Sequence, residues 1–213
     1  MRREYPKTVD GDYLDYIRSL GCVLYLPLGE DGDKQDRISG NSLVLVSGNI
    51  DMAWDSNEQM YLFTGPNYRN KSHTLDTGWT AATFPNPEVT VLTTFKKYPG
   101  QTRNGALLCT GDYAPIGGAA MQHGTSVMSN WNNNLYKCAY ALSATGRWLY
   151  DNGALYASYG AHTPYLPQNW GGYNWFVGSY NSSNPGAKVY YKDILIFNKV
   201  LSLQEIRKVQ GYE

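Results

Sequence analysis

Hydrophobic and polar positions alternate along most of this chain with a period of two, and only its two ends carry a helical spacing. The clearest alternation is EVTVLTTFKKY, residues 88–98, where Val89, Val91, Thr93 and Phe95 share one face of a predicted strand. RWLYDNGALYASYG, residues 147–160, reads as a hairpin. Its Asp151-Asn152-Gly153 supplies the residues that tolerate positive φ in a two-residue turn. Further strands are expected at CVLYLPL (22–28), with Pro27 marking a strand end or an edge, and at SLVLVSG, MAWD, QMYLFTG, GALLCTGD and YNWFVGSYN. AAMQHG and SVMSNWNN are weaker candidates, and residues 66–87, with Pro66, Pro85 and Pro87, read as loop.

Near the start, Tyr13, Leu14, Tyr16, Ile17 and Leu20 recur at the spacings of one short helix, with Asp10 or Asp12 as its cap. At the end, Val189, Tyr191, Ile194, Ile196 and Phe197 make an apolar strand that Asn198 and Lys199 interrupt. Ser202 stands three residues before Glu205, the spacing of a capping box. Leu203, Ile206 and Val209 then give a short helix one apolar face. A strand followed by a capped helical turn is expected to close an edge of the sheet. These elements predict an all-β fold, a two-sheet antiparallel sandwich with short N- and C-terminal helices, divided into an N-terminal extension over residues 1–20 and one domain over 21–213.

Composition narrows the function. Charged residues are 17% of the chain and sum to zero, which argues against nucleic acid, whose phosphates call for a basic excess, and against a polybasic membrane anchor. No apolar run is long enough to insert in a membrane as a helix. The N-terminal stretch has no apolar core of a secretory leader. Three cysteines, Cys22, Cys109 and Cys138, cannot all pair within one chain and contain no CxxC. Buried free thiols, or one disulfide with one free thiol, are the two readings.

The chain resembles the laminin-G-like, concanavalin A-like jelly-roll domains. Asp193, Ile194, Ile196, Phe197, Asn198, Leu201, Ser202, Glu205 and Ile206 match the end of that pattern. Leu24, Leu26, Pro27, Leu28, Asp36, Ser39, Gly40 and Asn41 match its opening. Tyr61, Leu62, Phe63 and Gly65, then Phe95, then Tyr150, Asp151 and Gly153 match more loosely. The resemblance implies a jelly roll used by lectins, by glucanases and by structural modules alike.

Glycoside hydrolysis needs two carboxyl groups flanking the scissile bond. None of the six glutamates has an acidic residue two positions away on a convincing central strand, so a glycoside hydrolase is the least favoured reading and the chain is read as no enzyme. His73, His123 and His162 lie in polar, loop-like stretches with no GxSxG serine. The loop GEDGDKQD offers Asp31, Asp33 and Asp36 as oxygen ligands for calcium, although Lys34 and Arg37 could neutralise them without a metal. Ten aromatic residues fall between Trp148 and Tyr180. Trp148 and Phe176 are expected in the core. Tyr159, Tyr165, Trp170 and Tyr173, with Asn169, are harder to bury and form the candidate ligand-binding set, with Trp131 in a second polar-aromatic loop. Flat aromatic faces stack on sugar rings and also make protein-binding surfaces. The sequons at Asn70 and Asn181 are expected by chance. The resulting expectation is a surface recognition module for a glycan or protein, extracellular or on a cell surface. The alternative is a phage virion protein of a capsid or fibre assembly, favoured by the initial methionine, the missing leader and the single domain.

Overall fold

The computed structural model describes residues 11–42, 44–45, 52–64, 73–75, 83–99, 108–110, 114–115, 135–160, 175–177 and 188–212. Helix α1 spans Gly11–Ser19 and α2 spans Leu203–Val209. The strands are β1 (Cys22–Leu26), β2 (Val44–Leu45), β3 (Met52–Asp55), β4 (Met60–Thr64), β5 (His73–Leu75), β6 (Val89–Lys97), β7 (Leu108–Thr110), β8 (Ala114–Pro115), β9 (Leu135–Leu142), β10 (Gly146–Asp151), β11 (Ala154–Gly160), β12 (Trp175–Val177) and β13 (Lys188–Phe197). One sheet runs β11-β10-β9-β6-β13-β4-β3, with β1 also paired to β13, and a second runs β2-β5-β12-β7-β8. Among the described residues every strand pairing is antiparallel. The architecture is the expected two-sheet sandwich with two short helices.

The larger sheet is buried on both faces, which the alternation alone did not indicate. On β6, Val89, Val91, Thr93 and Phe95 are buried as expected, but so are Thr90, Leu92 and Thr94. The second set faces the helices. Ile17 of α1 and Ile206 and Val209 of α2 join Cys22, Tyr25, Leu92, Ala139, Ala141, Tyr150, Leu195 and Phe197 in one core cluster. Trp148 packs against that cluster, partly buried. Burying each large aliphatic side chain in such a layer contributes about 2 kcal/mol. Ala139 and Ala141 are small because the helices approach there. Thr90, fully buried, stitches the chain between β13 and α2 to β6: its hydroxyl donates to the Lys199 carbonyl at 2.8 Å and accepts from the Leu201 amide at 2.9 Å.

The capping box forms as read: the Glu205 amide donates to Ser202 Oγ at 3.2 Å, and the Ser202 amide donates to Glu205 Oε2 at 2.7 Å. Helix α1 packs on the domain, with Ile17 in its core. Tyr13 donates its hydroxyl to the Val209 carbonyl at 3.3 Å, and Lys208 sits 4.5 Å from the centre of the Tyr16 ring.

Three expectations need correction. β13 does not close an edge; it lies inside the sheet, paired with β6 on one side and with β4 and then β1 on the other. Its length lets two shorter strands share its second side, and strand order is a long-range property that a local pattern does not carry. The stretch read as loop at 66–87 contains β5, so His73 stands on a strand beside Val177 and Leu45. β9 was not singled out at all, although it pairs with both β6 and β10. Cys22 and Cys138 are buried free thiols. The segments AAMQHG and SVMSNWNN, His123, His162 and both sequons lie outside the described residues, as does the side chain of Phe176.

Candidate recognition site on the outer strand

The hairpin of β10 and β11 turns at Asn152 (φ 48°) and Gly153 (φ 77°), the positive-φ pair that its sequence supplies. Neighbouring elements hold that turn in place. The Asn152 amide donates to the Lys137 carbonyl at 2.8 Å, and the Lys137 amide donates to Asn152 Oδ1 at 3.1 Å. The Tyr212 ring lies against Gly153, where a Cβ would sit 2.9 Å from it, and the Tyr212 hydroxyl donates to Asn152 Oδ1 at 3.3 Å. The Lys137 ammonium donates to the Gln210 carbonyl and lies 4.9 Å from the centre of the Tyr212 ring. Burial pushes the Lys137 amine below its ordinary range.

From that anchored turn β11 runs out as the last strand of the larger sheet; among the described residues nothing pairs with its outer side. It carries no charged residue. Leu155 is 53% exposed, Tyr156 49% and Tyr159 38%. Leu155 stands opposite Tyr150 and Ala157 opposite Leu149, which leaves Tyr156 as the extra residue of a bulge. A bulge re-aims the side chain it carries. Tyr159 stands opposite Arg147, whose guanidinium lies 5.2 Å from the ring centre and whose Nε donates to the Gly160 carbonyl at 3.2 Å. Tyr159 is thus placed on an exposed aromatic edge. Tyr165, Asn169, Trp170, Tyr173 and Trp131, named with it from the sequence, lie outside the described residues. Tyr156, Leu155 and Arg147, which share this hairpin, were not among the candidates named from the sequence; the signal available was the absence of charge across the whole of ALYASYG.

At the foot of the hairpin Asp151 faces Cys138, with the thiol donating to Oδ1 at 3.9 Å. Burial raises the Asp151 carboxyl above its usual range and pushes the Cys138 thiol well up.

The acidic loop between β1 and β2 is arranged around its own backbone. Asp36 is 1% exposed. Its Oδ1 accepts the amides of Tyr25 (2.8 Å) and Ile38 (3.0 Å), and its Oδ2 accepts the amide (3.1 Å) and hydroxyl (2.5 Å) of Ser39. Asp33 pairs with Arg37 at 2.5 Å, and Asp31 is exposed. Among the described residues no three acidic, histidine or cysteine side chains are grouped to hold a metal ion. The three aspartates proposed for calcium therefore do not converge: one carboxylate is filled by four donors and another by a guanidinium.

A polar cluster that the sequence did not reveal joins β3, the turn that follows it, β6 and β13. Tyr190 donates to Asp55 Oδ2 at 3.0 Å and stacks with Tyr98 at 5.8 Å and 23°. Lys96 donates to both Glu58 oxygens at 2.6 Å. Asp55 Oδ1 accepts the Asn57 and Glu58 amides at 2.9 and 3.2 Å. The Glu58 amide, followed by the Tyr190 hydroxyl, holds the Asp55 carboxyl below its usual range, while burial pushes Tyr190 up to about 12. Asp55 and Glu58 are each committed to internal partners, so the cluster braces the β3–β4 turn against the sheet.

No family model matches the chain, and no curated protein matches its sequence. Solved structures do. The chain is similar to the binding domain of Botulinum neurotoxin DC, solved with rat synaptotagmin II, at 10% identity and a TM-score of 0.57, over 91% of this chain and 52% of that one. It is similar to the binding domain of Paraclostridial Mosquitocidal Protein 1 at 13% identity and a TM-score of 0.58, over 90% and 52%. It is also similar to the Botulinum neurotoxin serotype D ligand binding domain, solved with N-acetylneuraminic acid, at 12% identity and a TM-score of 0.57, over 94% and 53%. The chain spans about half the length of these structures. At such identities they establish the β-sandwich fold, and they do not single out a laminin-G-like one. No described helix is long and apolar enough to cross a membrane.

Proposed function

We propose that this domain is a non-catalytic recognition module that binds a glycan at the cell surface through the aromatic edge of β11. The observation that carries the reading is the concentration of exposed apolar surface on one uncharged edge strand: Leu155, Tyr156 and Tyr159. Edge strands are ordinarily blunted by charge, and large exposed apolar groups gathered in one place mark interaction sites. The rigid hairpin supports the reading, because aromatic rings on a fixed strand lose little entropy on contact. Likeness in fold to toxin binding domains, one of them solved with a sugar acid and one with a protein receptor, supports binding over catalysis. Tyr165, Asn169, Trp170, Tyr173 and Trp131 are proposed as further ligand-contacting residues. A glycan array probed with the intact chain, with Tyr159→Ala and with Trp170→Ala tests this. Binding that both substitutions weaken is the expected result. An array without hits, alongside release of reducing sugar from a polysaccharide, would overturn it.

A further inference from the structure

The charge pattern of the hairpin allows the ligand to be named by class. Strands β10 and β11 together carry two charged side chains, Arg147 and Asp151. They lie four residues apart on one strand, roughly 13 Å. Asp151 faces Cys138 instead. Among the described residues no carboxylate pairs with Arg147. Its guanidinium is nevertheless held on two sides, by the Nε donation to the Gly160 carbonyl and by the face of Tyr159. Those two contacts leave the pair of terminal Nη groups, whose parallel N–H bonds match the two oxygens of a carboxylate. A fork fixed in advance loses less freedom on binding than a mobile side chain does. The register places uncharged residues beside it on the same face of the hairpin: Tyr159 directly opposite, and Leu149 and Ala157 as the next pair along. A carboxylate set beside a flat ring that carries a hydroxyl, on a hairpin with no second cation, describes a sugar acid better than an acidic peptide, which would bring repeated charges to a strand with nothing to neutralise them.

We infer that Arg147 and Tyr159 form a carboxylate-binding subsite, and that the domain takes glycans bearing a sugar acid. The inference rests on the recognition reading above and adds the ligand class to it. Arg147 grips the carboxylate end-on, and Tyr159 both orients the guanidinium and offers its ring edge to the sugar.

The test is calorimetric titration of the full chain with N-acetylneuraminic acid, glucuronic acid, galactose and a short oligoglutamate peptide. The acids are expected to bind about tenfold or more tightly than galactose, the loss associated with one charge-assisted contact. That preference should fall as salt rises. Arg147→Gln should abolish it, and Arg147→Met, which keeps the aliphatic stem over Tyr159, should do the same. Arg147→Lys should restore only part of it, since an ammonium lacks the fork. Unchanged thermal midpoints and unchanged β11 amide exchange confirm that the variants keep the hairpin. Acid preference surviving in both Arg147→Gln and Arg147→Met would overturn the subsite. Equal binding of galactose and the acids would overturn the ligand class and leave the recognition reading standing. Binding of the peptide alone would overturn the sugar assignment. Absence of all binding would overturn the inference together with the reading it rests on.

Discussion

The carboxylate of Asp36 accepts the backbone amide of Tyr25 at 2.8 Å, across eleven residues, and so ties the acidic loop to β1. The same carboxylate receives three further donors from Ile38 and Ser39. Asp36→Ala would strand buried amides and is expected to destabilise the domain by about 3 kcal/mol. Asp36→Asn, which keeps one accepting oxygen, should cost less. Urea unfolding measures both. The thermal midpoint of the wild-type chain is expected to be the same in calcium and in chelator; a rise of several degrees with calcium would return Asp31, Asp33 and Asp36 to a metal site.

Asp193 gives the stability a defined pH dependence. It sits at a bulge of β13, where its Oδ1 accepts the Thr94 amide at 2.8 Å. The residue is only partly exposed, and loss of solvation at its carboxyl group raises the pKa, with Thr94 and the Lys137 and Lys192 charges opposing. A folded-state pKa above the unfolded one means that the protonated form favours folding. That contribution is full below the ordinary carboxylate range and is lost as pH rises through the folded value. Asp193→Asn should therefore be more stable than wild type at neutral pH, with the gap closing on acidification. A gap that widens as pH falls would contradict the assignment.

Ser202→Ala removes one half of the capping box that opens α2. About 1 kcal/mol of stability should be lost. Because Ile206 and Val209 of this helix belong to the core cluster, the loss should appear in global unfolding rather than as local fraying. Denaturation followed by both far-ultraviolet dichroism and tyrosine fluorescence distinguishes the two.

Gly153→Ala would place a Cβ at φ 77° and 2.9 Å from the Tyr212 ring. Strain and displacement of Tyr212 together should cost about 1–3 kcal/mol. Faster amide exchange should be confined to β10, β11 and residues 210–212. Uniform acceleration across the sheet would show that the turn is not locally anchored.

Cys22 and Cys138 should resist alkylation in the folded protein. Cys22 is 6% exposed, its thiol is pushed up to about 12 by burial, and the thiolate is the reactive form. Peptide mapping after a native maleimide pulse should find both unmodified, and both should react once the chain is unfolded in urea. Native labelling of Cys138 would contradict its burial.

Much of the local structure was legible in the sequence. The β10–β11 turn is written in Asn152 and Gly153, because few residues accept positive φ. The start of α2 is written in Ser202 and Glu205, because capping is a contact across three residues. β9 escaped notice because its helix-facing positions are Lys137, Ala139 and Ala141, whose size and charge mask the alternation of Tyr136, Cys138, Tyr140 and Leu142. Of the candidate site, aromatic richness near Tyr159 was visible and Arg147 was not, since the two stand twelve residues apart in the chain and meet only when the hairpin closes.

The sequence by itself determined the elements: where strands start and turn, which residue caps a helix, and that the chain builds two layers of sheet. Those choices depend on neighbours a few positions away. Only the tertiary structure decided that β13 lies inside the sheet, that the helices bury its second face, and that the Arg147 guanidinium meets an exposed ring on the outer strand. Each of these brings together residues far apart in the chain, and their energies exist only once the intervening loops have closed.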